Sequence, residues 1–109
     1  MLSLSTLRAV VYFYVQGYNE ASQHDGSSLR VRGLCVAFAI PDDPAEPVLV
    51  RFYDRYSQVG SVPSVRLSAL ADAFAGTLVD YGYLRGNAVA RVESDGEYAT
   101  LALLGIVRD

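Results

Sequence analysis

The chain has 109 residues, 51% apolar and 19% charged, with a net charge of −3. That length fits one domain with its own hydrophobic core, and the composition excludes a long disordered stretch. No apolar run approaches the ~20 residues that span a bilayer, no small-residue cleavage site marks residues 1–15 as a signal peptide, and one cysteine excludes an internal disulfide.

A cytoplasmic, reducing location is therefore expected, with no membrane partner. All nine cations are arginine. Arginine pairs with phosphate and stacks on rings, yet GC-rich coding produces the same bias. An acidic total disfavours nonspecific nucleic-acid binding unless the charges segregate by face.

Residues 7–18, LRAVVYFYVQGY, read as a first strand. A period of two puts Leu7, Ala9, Val11, Phe13 and Val15 on one face. Arg8, Val10, Tyr12, Tyr14, Gln16 and Tyr18 fall on the other. Residues 19–28 are polar and read as a loop. Residues 29–40, LRVRGLCVAFAI, read as a longer second strand. Its apolar set changes phase at Gly33, as a β-bulge would require. Residues 41–47 are a proline-rich turn, and residues 48–57 a third strand with Arg51, Tyr53 and Arg55 on one face.

A Gly/Pro loop follows. Leu67, Leu70, Phe74, Leu78 and Tyr81 then recur at helical spacing. Ser64 or Ser68 can cap that helix and Gly82 can end it. Residues 87–93 read as a fourth strand, Asp95-Gly96 as a hairpin turn, and residues 97–107 as a fifth strand. The predicted fold is mainly β with one helix: a five-stranded antiparallel OB-like barrel in the order β-β-β-α-β-β. An antiparallel sheet with one helix across a face is the competing arrangement. The predicted core is Val11, Phe13, Val36, Phe38, Val50, Phe52, Leu70, Phe74, Leu78, Leu101 and Leu103.

Three stretches carry a resemblance: LRVRGLCVAFAI, SALADAFAGTLVDYGYLRGNAVARVE and YATLALLGI. They resemble the second strand, the helix with its following strand, and the closing strand of bacterial and phage single-stranded DNA-binding proteins of the OB-fold type. The chain departs from that pattern in having no tryptophan, a tight SDG turn in place of a long wrapping loop, and no acidic tail after IVRD. Small phage or plasmid proteins of this kind are the closer comparison. The resemblance implies binding of single-stranded DNA in replication or recombination.

The residues point the same way. Arg8, Tyr12, Tyr14, Tyr18, Arg30, Arg32, Arg51, Tyr53 and Arg55 all lie opposite the apolar faces of their predicted strands. Rings there could stack on bases while arginines track phosphates. Tyrosine and arginine are equally the residues of protein interfaces. A protein-interaction module, such as a phage inhibitor, immunity or assembly protein, is therefore the alternative. A homodimer or higher homo-oligomer is expected under the first reading.

Catalytic patterns are weak. His24 is the only histidine and sits in a polar stretch, and Cys35 lies in an apolar run. One histidine and one cysteine cannot build a zinc site, and no phosphate-binding glycine loop is present. No enzyme activity, cofactor or metal is expected.

Overall fold

The computed structural model describes residues 2–24, 34–54, 64–86, 89–94 and 98–109. The elements in chain order are β1 (Leu2–Ser3), α1 (Leu4–His24), β2 (Leu34–Ala39), β3 (Val48–Asp54), α2 (Ser64–Asp80), β4 (Val89–Ser94), β5 (Tyr98–Leu103) and β6 (Ile106–Val107). β2, β3, β5 and β4 form an antiparallel sheet in that order, and β1 pairs with β6 in a separate parallel ribbon. The sheet is open, so the expected five-stranded OB-like barrel is not formed. Among the described residues there are two helices where one was expected.

The first correction falls on residues 7–18, which are helical. The aromatic and β-branched content suits a strand, but a longer period overrides it. Leu4, Leu7, Val11 and Tyr14 are spaced three, four and three apart, which aligns them on one helical stripe. Leu4, Leu7 and Val11 are buried and Tyr14 packs against the same core. The helix start is also encoded. The Thr6 N–H donates to Ser3 Oγ at 3.2 Å, a side-chain cap that satisfies one free amide of the first turn. Leu2 and Leu7 flank that cap at the positions of a hydrophobic staple, and both are buried.

α2 forms where its periodicity places it. Leu67, Leu70, Ala71, Phe74, Ala75 and Leu78 are buried along one face. Gly82 adopts φ +75°. The Tyr83 N–H donates to the Leu78 carbonyl at 2.9 Å and the Gly82 N–H to the Val79 carbonyl at 3.0 Å. This pair of bonds is a Schellman closure, which needs a residue tolerant of the left-handed region. Tyr81 lies past the last turn of α2 and is exposed.

The strands pair in a register that sorts their side chains cleanly. Val36 faces Phe52, Phe38 faces Val50, Phe52 faces Ala99 and Val50 faces Leu101. With Val48, Leu103 and Val92 they form the inner face, on which both helices lie. Phe74 joins the layers: its ring stands edge-on to Phe52 at 5.6 Å and to Tyr14 at 5.1 Å.

Most of the expected core is buried, with three differences. Phe13 is exposed because the helix turns it away from the stripe, and Val36 and Phe38 are half-buried on an edge strand. The expected fifth strand is broken. β5 ends at Leu103, Gly105 takes φ +79°, and β6 leaves the sheet to pair with β1. The proposed bulge at Gly33 lies outside the described residues. The irregularity found among them is in β4, between Val89 and Arg91.

Candidate binding face

The sheet has one covered face and one uncovered face. Because side chains alternate along a strand, the residues that escape the core form rows on the outer side. Ala37, Arg51, Thr100 and Glu93 make one row, Cys35, Tyr53 and Tyr98 a second, and Ala39, Leu49, Ala102 and Arg91 a third. Small and half-buried residues (Leu49, Thr100, Ala102) lie between long ones that stand into solvent (Arg51, Arg91, Glu93). The result is a half-open concavity of about 890 Å³ bordered by Pro47 at one end and Tyr98 at the other.

Two contacts lie within this hollow. The Arg51 guanidinium lies 5.2 Å from the centre of the Tyr98 ring, a cation–π arrangement. Arg91 and Glu93 form an exposed ion pair. Pairing cancels the charge of Arg91 and Glu93, so among the described residues Arg51 leaves the face with a net positive charge on a chain of net charge −3. A net positive face favours an anionic ligand.

The nine expected site residues do not form one surface. Arg51 and Tyr53 lie on the uncovered face, as expected for them. Arg8, Tyr12, Tyr14 and Tyr18 belong to α1, on the other side of the sheet. Arg8 reaches the Phe38 ring at 5.7 Å. Tyr12 is exposed. Tyr14 packs on Phe74 and its hydroxyl donates to the Leu70 carbonyl at 3.4 Å, so it joins the two helices. The physical reason is the helical period, which sends residues 12 and 14 about 200° apart. The side chain of Tyr18, and all of Arg30, Arg32 and Arg55, lie outside the described residues.

Tyr98, Thr100 and Arg91 were missed as site residues. The signal was present in YATLAL, where Tyr98, Thr100 and Ala102 alternate with the buried Ala99, Leu101 and Leu103. Among the described residues no three His, Cys, Asp or Glu side chains gather as metal ligands. No helix among them is long and apolar enough to cross a membrane.

No protein-family model matches this sequence, and no curated protein or solved structure is detectably similar to it.

Proposed function

We propose that this chain is a non-enzymatic protein-interaction module of the cytoplasm that holds an acidic polypeptide segment on the uncovered face of its sheet. One observation carries the reading: the face opposite the helices is concave, bears a net positive charge, and presents Arg51 stacked on Tyr98 beside Tyr53. Tyrosine supplies contact area at little entropic cost and arginine supplies directional, charge-assisted bonds, which is why binding surfaces favour them. The chain acts as a homodimer or higher homo-oligomer, consistent with its low charge and high apolar content.

A second reading is supported by the same three side chains. Tyr53, Tyr98 and Arg51 could stack bases of single-stranded DNA in replication or recombination. The barrel that first favoured this reading is not formed, and Tyr12 and Tyr14 lie on the other side of the sheet, so the platform is smaller than the sequence implied.

One titration separates the two. Isotope-labelled protein is mixed with an acidic Glu/Tyr peptide or with oligo-dT, and backbone resonances are followed. The proposal expects the peptide to shift Leu49, Thr100 and Ala102, and Arg51→Glu to abolish those shifts. Shifts with oligo-dT alone would transfer the face to nucleic acid, and silence with both would remove it as a binding site.

A further inference from the structure

Two separate features converge on one margin of the molecule. The first is the contrast between the sheet edges. β4 carries the irregularity between Val89 and Arg91 and the Arg91–Glu93 ion pair, which are devices that discourage another strand from pairing. β2, LCVAFA, has no charge, no proline and an unbroken register with β3. Among the described residues it pairs with β3 alone. An uncharged, regular edge is a template for a further strand.

The second feature stands above that edge. Tyr14 ties one side of α1 to α2, while Arg8 reaches Phe38 of β2. Tyr12 is one turn beyond Arg8, on the same side of the helix. It therefore lies on the β2 side of α1, away from α2, and is 65% exposed. Phe13, 71% exposed, packs edge-on against it at 5.8 Å.

We propose that β2 pairs antiparallel with β2 of a second copy, extending the sheet to eight strands, with the Tyr12 rings of the two α1 helices meeting above the seam. Charge favours a copy as the occupant. An acidic chain repels itself wherever carboxylates face each other, and residues 8–16 and 34–39 contain none. Edge-to-edge antiparallel pairing keeps each strand's faces and so matches only residues of the same face. A register centred on Ala37 sets Val36 against Phe38 of the second copy, a β-branched residue against an aromatic one. Both are half-buried in one chain and would gain cover. A register centred on Val36 would place the already buried Leu34 there and gain less.

Five paired residues span roughly 17 Å. With the helix above, the contact strip falls well short of the ~800 Å² per partner of a standard interface. The dimer is therefore weak and separates on dilution.

This inference names the surface of the homo-oligomer and is independent of ligand capture on the open face. Sedimentation velocity from about 1 to about 200 µM, a range set to bracket a weak contact, tests it on the full chain. The wild type should pass from monomer to dimer. Ala37→Glu places two carboxylates across the two-fold axis while facing Arg51 within its own chain, so it should stay folded by circular dichroism and monomeric throughout. Ala37→Lys should also stay monomeric, and an equimolar mixture of the two should dimerise again. Should Ala37→Glu fail to fold, Ala39→Glu takes its place: it is exposed on the same edge, faces Cys35 of the second copy in this register, and should weaken the dimer because a charge on an edge strand opposes further pairing. A monomeric wild type at every concentration would overturn both the inference and the homo-oligomer. A dimer indifferent to charge at positions 37 and 39 would overturn the β2 seam alone and leave another surface as the contact.

Discussion

The two helices lie on the same face of the sheet but are held there differently. α2 rests on β3, β4 and β5 and buries an unbroken stripe of apolar residues. α1 rests on β1 and the edge strand β2, buries Leu4, Leu7 and Val11, and leaves Tyr12 and Phe13 in solvent. α2 is thus part of the core, whereas α1 is docked against its margin. α2 spans three strands, from the β4 edge across β5 to β3, whereas α1 covers one strand of the sheet, so more neighbours close around α2.

Substitutions can break or sharpen this contrast. Phe74→Ala should have the largest effect, a loss of about 3–5 kcal/mol in urea unfolding, because it empties a fully buried site shared by Phe52 and Tyr14. Leu7→Ala should cost less, about 2–3 kcal/mol, since a marginal helix can settle into the space left behind. A cost equal to that of Phe74→Ala would mean that α1 is as embedded as α2. A double-mutant cycle between Tyr14→Leu and Phe74→Leu should return a coupling of about 0.5–1.5 kcal/mol for the ring pair joining the helices. A coupling near zero would mean that the helices sit side by side without energetic contact. Phe13→Ser should change stability by less than about 0.5 kcal/mol, as for any exposed site. A larger loss in dilute solution would return Phe13 to the core.

The smallest effect is local. Asp109 holds the start of α1: the Ser5 hydroxyl bonds one carboxylate oxygen and the Ser5 N–H bonds the other. These bonds, led by that from the Ser5 hydroxyl, hold its carboxyl below the ordinary range. A lowered folded-state value means that the contact is fully present above the unfolded carboxyl's range and is lost as pH falls through the lower one. Amide exchange in the first turn of α1, compared with that in α2, should therefore rise on acidification, and Asp109→Asn should remove the difference.

The same two helices show what was legible in the sequence. α2 could be read because Leu70, Phe74 and Leu78 repeat at helical spacing among alanines, which suit helices and disfavour strands. α1 was misread because Val, Tyr and Phe are good strand residues and residues 7–15 happen to alternate. Its true period begins at Leu4, ahead of the segment taken as the strand, and its cap at Ser3 is a single residue. That one exchange of helix for strand removed the barrel and scattered Arg8, Tyr12, Tyr14 and Tyr18 away from Arg51 and Tyr53. β2, β3 and β5 kept the inward residues expected for them, since alternation against a covered face fixes register. The uncovered face was therefore half visible, through Arg51 and Tyr53. Tyr98 joined it only by pairing with Tyr53 across two strands that are distant in sequence.

The ribbon of β1 and β6 bears on the order in which the molecule assembles. It brings Leu2 against Ile106 and Ser3 against Val107, and the Ser5–Asp109 bonds beside it join residues 104 positions apart. Arg108 adds bonds to the carbonyls of Asp42 and Asp43. Closing so long a loop costs about 4 kcal/mol of chain entropy before any contact is gained. Hairpins β2–β3 and β4–β5 close far shorter loops, and contacts near in sequence form first. The sheet and α2 can thus assemble while α1 is still unplaced, with Leu34, Val36 and Phe38 waiting for a cover. An arrested or slowed α1 would leave the inner face of that margin open to other chains during folding, so the seam between β1 and β6, the contact of longest range, is the one expected to close last and to hold the cover on Val36 and Phe38.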